Sequence, residues 1–274
     1  MPAAELRPEG YRFLQDYVYR QSGIVLDGDK RYLLEARLMP IAKRVGLDNL
    51  NALCVMLGSP ANNSALKRDV VEAMTTNETF FFRDPAQYEV LRATVIPSLI
   101  AQRQDTRRMS FWSAASSSGQ EAYSLAMMLL EMGLGSWRIK IQGTDLSTQM
   151  AERARTGKYL QIEVNRGLPV GYLVKYFTRT GLEWQLKDEV RRMVEFSTFD
   201  LRESMSARGP FDVVFCRNVL IYFDVESKRK ILNEIHGTLF RGGYLLLGGS
   251  ETTLNLTNRF ERRILGQTVL YQAP

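Results

Sequence analysis

Four short polar groups in this 274-residue chain each follow an apolar run, and together they could hold a small charged molecule. The first is a turn of small residues, Ala114, Ala115, Ser116, Ser117, Ser118 and Gly119. It lies between the run Met109, Phe111, Trp112 and a helix-compatible segment, Gln120–Met132. Small side chains let a backbone approach a ligand closely, and a helix N-terminus offers unpaired N–H groups. Asp145, Asp200 and the pair Arg217-Asn218 end three later apolar runs. In open α/β sheets, ligands bind beyond the carboxyl ends of the strands, where such residues sit. Only Gly119 in the turn is glycine, so the G-x-G-x-x-G pattern of dinucleotide sites is absent. A carboxylate at Asp145 either accepts hydrogen bonds from ribose hydroxyls or caps the helix that starts near Ser147. Asp200 either meets an adenine amino group or caps a loop, and Glu121 suits an ammonium group. The set fits adenosine joined to an amino acid, without pyrophosphate, which is the outline of S-adenosylmethionine.

Composition narrows the chemistry. The single histidine, His236, falls inside an amphipathic helical pattern, and the two cysteines, Cys54 and Cys216, make no metal spacing or disulfide framework. Histidine-dependent hydrolysis and a metal centre are not expected. The cysteine usage, the absence of an apolar leader in MPAAELRPEG and the lack of an apolar run near 20 residues long lead to the expectation of a cytoplasmic protein without membrane insertion. A net charge of +6 favours an acidic partner.

The elements that would position these groups change character along the chain. The first ~75 residues read as helices only. One carries Tyr11, Leu14, Tyr17 and Val18 and stops at Gly23; a second spans roughly Asp29–Val45 around Pro40. A third follows Asp48 as cap with Leu50, Leu53, Cys54 and Leu57, and a fourth starts near Ser64 with Leu66, Val70 and Met74. On the second helix, Lys30, Arg37 and Arg44 recur every seven residues, with Arg31 and Lys43 nearby. That is either a solvated face or a docking surface for an acidic partner. Next comes TTNETFFFR (Thr75–Arg83), read as an irregular segment that is either a hydrophobic clip or a ligand lid. Asp84-Pro85 then starts a helix, with Asp as cap and Pro at its first position.

From there strands and helices alternate: Arg138–Asp145, a helix over Met150–Gly157, Val194–Leu201 and Phe211–Asn218. An Asp224-capped helix follows with Ile231, Leu232, Ile235 and Leu239 inward, Gly242-Gly243 turns it into Tyr244–Leu247, and a hairpin forms around Gly266. The stretch Asn165–Arg192 breaks the rhythm, and is read as an insertion with a short helix, Tyr172–Phe177, and one or two small strands. Alternation of this kind predicts a mainly parallel sheet covered by helices on both faces.

Four segments carry a resemblance: TTNETFFFRD (75–84), WSAASSSGQEAYSLAM (112–127), GTDLSTQMAERARTGKY (143–159) and FDVVFCRNVLIYF (211–223). In content, order and separation they resemble the bacterial chemotaxis receptor methyltransferases, the CheR family, over nearly the whole chain. The resemblance implies an α/β protein: an N-terminal all-α domain (1–76), a linker (77–92) and a class I, Rossmann-like S-adenosylmethionine-dependent methyltransferase domain (93–274). A small β subdomain would be inserted at about 165–192. By the same resemblance, the cofactor contacts are Asn77, Thr79, Arg83, Glu121, Asp145, Asp200, Leu201, Arg217 and Asn218. The second helix, with Lys30, Arg31, Arg37, Lys43 and Arg44, would face the cytoplasmic helical region of a receptor.

The implied reaction is methyl transfer from S-adenosylmethionine to receptor glutamates, leaving S-adenosylhomocysteine. A glutamate is ionised at neutral pH and needs no general base. Arg83 and Tyr222 are the candidates for shaping the transition state. Arg83 would orient the methionine end or make one contact, because a tight bidentate pair would blunt the attacking carboxylate. Tyr222 would donate one hydrogen bond; packing in a core is its other reading. Thr178–Leu186 is shorter and poorer in glycine than a loop that would grip a receptor's C-terminal peptide, so peptide tethering is not carried over. The rival readings are a methyltransferase for another substrate, such as RNA, and a non-catalytic adaptor that binds S-adenosylmethionine or a receptor. Nucleic acid is not expected as partner, since the basic face is confined to one helix.

Overall fold

The computed structural model describes residues 5–26, 28, 30–59 and 64–274. They divide into two compact units, Met1–Thr76 with Tyr222–Ser227, and Asn77–Ile221 with Lys228–Pro274.

The first unit is helical. Helix α1 (Pro8–Ser22) has proline at its start and ends at Gly23, whose left-handed backbone lets its N–H bond the Tyr19 carbonyl at 2.7 Å. Helix α2 (Arg31–Arg44) contains Pro40 on its exposed side, where water can serve the carbonyl that a proline leaves unbonded. Asp29, the expected start of this helix, lies outside the described residues. Helix α3 (Leu50–Gly58) is capped by Asn49, not by Asp48: the Asn49 side chain accepts the Ala52 N–H at 3.0 Å. One residue closer, it reaches the third helical N–H, as an N-cap must. Helix α4 (Ser64–Met74) completes the unit. Leu14, Val18, Leu34, Leu38, Leu53 and Val70 are fully buried between the helices. At ~1.5–3 kcal/mol for each such side chain, this core outweighs any one cap.

The second unit is a doubly wound sheet. Helix α5 (Pro85–Val90), a π turn (Leu91–Val95) and α6 (Ile96–Arg103) lead into β1 (Arg108–Ser113). Then come α7 (Gln120–Glu131), β2 (Arg138–Asp145) and α8 (Thr148–Thr156).

The insertion starts earlier than expected, at Lys158 instead of 165. Its strand β3 (Lys158–Leu160) is followed by α9 (Gln161–Val164), α10 (Val170–Tyr176), β4 (Phe177–Thr180), β5 (Glu183–Leu186) and α11 (Asp188–Arg191). The three strands form a separate antiparallel sheet in the order β3-β5-β4. Three residues are too few to show a period of two, so β3 exists only through its pairing with β5. The insertion is fastened by Gly167. There φ is +81°, and a Cβ would stand 2.1 Å from the Phe81 carbonyl oxygen, so no other residue fits.

The core resumes with β6 (Val194–Thr198), β7 (Phe211–Cys216), α12 (Val225–Gly237), β8 (Leu239–Leu247), β9 (Glu261–Leu265) and β10 (Thr268–Gln272). Leu239, expected on the inner face of α12, instead opens β8. The strand runs through Gly242-Gly243 without turning there, absorbing the pair as a register shift against β7. The seven strands lie in the order β6-β2-β1-β7-β8-β10-β9, parallel from β6 to β8, with β10 and β9 antiparallel. The winding goes outward from β1 through β2 to β6, then returns to β7 beside β1. The crevice between the carboxyl ends of β1 and β7 is therefore the topological switch point, where such sheets bind ligands. Among the described residues, no helix is long and apolar enough to cross a membrane.

Candidate functional site

The turn after β1 is held from both sides. Ser116 donates its N–H to the Thr144 carbonyl at 2.8 Å, and Ser117 its N–H to Asp145 Oδ2 at 2.8 Å. The other Asp145 oxygen accepts the Ser147 N–H at 2.9 Å. Ser147, not Asp145, caps α8, accepting the Met150 N–H at 3.0 Å. Asp145 is thus the joint between the turns after β1 and β2, with a carboxylate of the kind a ribose diol would bond.

Arg217, directly after β7, is the hub on the other side of the switch point. Its side chain is 1% exposed and donates to Glu121 Oε2 at 2.8 Å, to Asp84 Oδ2 at 2.5 Å and to the Arg83 carbonyl at 2.8 Å. Its Nε is buried without a partner among the described residues. Burial disfavours the charged guanidinium, but the neighbouring Glu121 and Asp84 carboxylates outweigh it and hold its pKa above the ordinary value. Glu121 also accepts the Ser113 hydroxyl at 2.7 Å. Its carboxylate is therefore engaged within the protein before any ammonium group arrives. Beside it, burial first and the Glu121 charge second push the Tyr88 phenol far up, so it stays neutral.

Asp84 does not cap α5 as expected. It stands in the left-handed region (φ 60°, ψ 68°) with no capping bond, and its carboxylate turns to Arg217. The segment before it is tied to the β1 turn and to α7: Ser117 Oγ donates to the Asn77 carbonyl at 2.8 Å, and the Phe82 N–H to Ser124 Oγ at 2.9 Å. Thr79 is half-buried. The three phenylalanines point to different partners. Phe81 is fully buried, edge-on to Tyr159 and Phe177, and Phe82 lies between Tyr88 and Tyr172. Phe80 lies under the guanidinium groups of Arg83 and Arg166 at 5.4 and 4.4 Å. Arg83 also donates to the Glu78 carbonyl at 3.2 Å, while Glu78 pairs with Arg166 at 2.6 Å.

One residue missed in the sequence organises the Asn218 loop. The Glu251 carboxylate accepts four backbone N–H groups: Asn218 at 2.7 Å, Val219 at 2.9 Å, Leu220 at 2.8 Å and Gly248 at 2.7 Å. A Cβ at Gly248 would stand 2.6 Å from Asn218 Nδ2 and 2.8 Å from Glu251 Oε2, so a side chain there would break the arrangement. The available signal was the run Gly248-Gly249-Ser250-Glu251, an acid just beyond a glycine pair at a strand's carboxyl end. Backbone strain also collects here. Of six non-glycine residues with positive φ among those described, Phe82, Asp84, Ser117 and Asn218 belong to this site, and such strain persists only where the surrounding structure over-determines the backbone.

Hydrogen bonds thus gather Asn77, Arg83, Glu121, Asp145, Arg217 and Asn218. Asp200 follows β6, and its carboxylate accepts both Arg202 Nη2 at 2.6 Å and the Arg202 N–H at 2.9 Å, the loop-capping alternative of its two readings. Leu201 beside it is buried. Tyr222 falls with the helical unit: it packs against that unit's core, and its carbonyl accepts the Val25 N–H at 2.9 Å.

The basic residues of α2 are divided. Arg37 caps the end of α4, donating to the carbonyls of Met74 at 2.9 Å and Thr75 at 3.0 Å. Arg44 pairs with Asp69 at 2.5 Å, and Arg31 stacks over Tyr11. Lys30 is half-buried, whereas Lys43 and Arg44 are exposed.

Two family models match the chain: "CheR methyltransferase, all-alpha domain" over residues 9–75, and "CheR methyltransferase, SAM binding domain" over residues 77–268. Chemotaxis protein methyltransferase 1 of Pseudomonas aeruginosa is 40% identical over 269 residues, covering 96% of this chain and 97% of its own. The chemotaxis protein methyltransferase of Vibrio parahaemolyticus is 39% identical over 280 residues, covering 99% of both. That of Salmonella typhimurium is 36% identical over 265 residues, covering 94% and 88%. A turn of small residues, a carboxylate at the end of β2 and a polar cluster at the switch point suit S-adenosylmethionine, and the chain belongs to the CheR family of S-adenosylmethionine-dependent methyltransferases.

Proposed function

We propose that the protein esterifies glutamate side chains of chemotaxis receptors. The observation that carries this reading is how the strand-end acids are held. Glu121 and Asp84 are paired with Arg217, Asp145 accepts two backbone N–H groups, and Glu251 accepts four. Acceptor bonds of this kind occupy the oxygens with which a carboxylate would take a proton from a substrate. His236, on α12, packs edge-on against Phe260. Such a site suits an acceptor that arrives deprotonated, which a carboxylate does and an amine or hydroxyl does not. The names of the relatives, chemotaxis protein methyltransferases, point to the receptors of that pathway as the acceptor proteins.

When bound, S-adenosylmethionine supplies a methyl group activated by a sulfonium, which the glutamate oxygen takes as S-adenosylhomocysteine departs. The residues assigned to hold the cofactor are Asn77, Thr79, Arg83, Glu121, Asp145, Asp200, Leu201, Arg217 and Asn218. Asp145 takes the ribose end. Arg217 acts indirectly, fixing Glu121 and the segment Arg83-Asp84 in place. Opposite charges meet in the reactants and neutral groups leave, so positioning and exclusion of water supply most of the acceleration. Arg83 orients the reacting groups, and the ring contacts of Phe80 and Phe82 keep the segment ordered.

The division of labour follows the chain: 1–76 docks the receptor, 77–92 connects, and 93–274 transfers the methyl group. On α2, Lys43 and Arg44 offer charge outward, while Arg37 supports the surface from beneath by capping α4. The test is incubation of the full chain with methyl-labelled cofactor and receptor cytoplasmic fragments. Label that disappears when the fragment's methylatable glutamates are replaced by alanine supports the reading, and label that persists opposes it.

A further inference from the structure

The opposite, amino end of the central sheet holds a second cavity that the methyl transfer does not use. It has a volume of about 480 Å³ and lies at the starts of β1, β2 and β7 and the end of α6. This size falls within the range of small-ligand pockets. The strand rise puts it roughly 17 Å from the turn after β1.

Its charges are arranged unusually. Arg108 and Arg138, the first residues of β1 and β2, are register partners on adjacent parallel strands, and both are exposed. Like charges directly across a strand pair repel. Among the described residues, neither side chain has an ion pair or hydrogen bond, and the nearby acid cannot neutralise them. Asp212, 2% exposed, is fully engaged by Arg103 at 2.9 and 3.0 Å and by the Ser110 N–H at 2.8 Å. Lys140, two residues beyond Arg138 and so on the same face, adds a third cation, which pairs with exposed Glu195 at 3.3 Å. Three of the lining residues are apolar, Met109, Ile139 and Phe240, with the Phe240 ring under the Arg103 guanidinium at 4.3 Å. A sequence that keeps two arginines side by side with no acid paired to either breaks a local rule, and proteins break such rules at functional sites.

We infer that this cavity binds a phosphate-bearing small molecule with a planar ring, of the nucleoside diphosphate class. The Arg108 and Arg138 guanidinium groups take the phosphate oxygens, for which their fork geometry is suited. The ring lies against Ile139 and Phe240. Because the site is at the far end of the strands from the methyl-transfer crevice, it is a candidate regulatory site independent of the proposed acceptor.

The test is calorimetric titration of the full chain with GDP and, separately, inorganic pyrophosphate, after saturation with S-adenosylhomocysteine to fill the cofactor site. GDP is expected to bind saturably, more tightly than pyrophosphate, with affinity falling as salt rises. The double variant R108A/R138A is expected to lose about ten-fold or more of that affinity while keeping its melting temperature and its S-adenosylhomocysteine affinity. Three results overturn the inference: no saturable GDP binding up to about 1 mM, binding unchanged in the double variant, or pyrophosphate binding as tightly as GDP. A double variant that fails to fold is replaced by R108Q and R138Q singly, read by the same titration.

Discussion

At the carboxyl ends of β1, β2 and β7, every acid of the site is already answered: Glu121 and Asp84 by Arg217, Asp145 by two backbone N–H groups, and Glu251 by four. At the amino ends of β1 and β2, Arg108 and Arg138 stand in register, and among the described residues neither side chain has an ion pair. The same strands therefore end in opposite electrostatic conditions. Groups that are satisfied in advance keep their geometry when a ligand enters, which is the preorganisation that catalysis requires. Groups left unanswered gain their stabilisation only when a counter-charge arrives, which suits reversible binding. The contrast separates charges that hold the protein together from charges held in reserve.

The largest test of this contrast is Arg217→Ala. It leaves two carboxylates unpaired around a site where the side chain was 1% exposed, and should cost about 3–5 kcal/mol in urea unfolding. A loss below about 1 kcal/mol would mean that the hub is not structural. Glu251→Gln comes next. The amide keeps the shape but turns an acceptor into a donor facing N–H groups, for an expected loss of about 1–3 kcal/mol and a fall in turnover larger than that stability loss alone explains. Near-normal turnover in a folded variant would remove Glu251 from the positioning of Asn218.

Arg83→Ala should behave differently. Its side chain makes one carbonyl bond and a ring contact, so stability should change by under about 1 kcal/mol, while turnover drops by about a hundred-fold. Turnover like that of the unaltered protein would count against its role. The smallest effect belongs to the other end of the sheet. Arg108→Gln relieves a like-charge pair and should raise stability by a few tenths of a kcal/mol at low salt, the gain fading at high salt. A salt-independent loss would show that the arginine is structurally engaged after all.

Much of this was legible from residue spacing. β2 falls where its pattern ends in Asp145, and the β1 turn was recognisable because small residues separate two strong periodic signals. What escaped depended on partners distant in sequence. Asp84-Pro85 reads locally as a cap, but the Asp84 carboxylate is drawn to Arg217, 133 residues away. Glu251 shows no local pattern beyond its glycines, because its four donors come from two loops that only the sheet brings together. Arg37 reads as part of a basic stripe until α4 supplies carbonyls for it to cap. β3 is invisible alone, and Leu239 continues a helical period into a strand because burial suits both patterns.

The central claim is the identity of the acceptor atom, and the stability of the transferred methyl group tests it most directly. Receptor fragments labelled by this protein with methyl-labelled S-adenosylmethionine should release their label as volatile methanol in mild base, as a carboxyl ester does. Label that survives the same treatment, bound to nitrogen, would contradict the account.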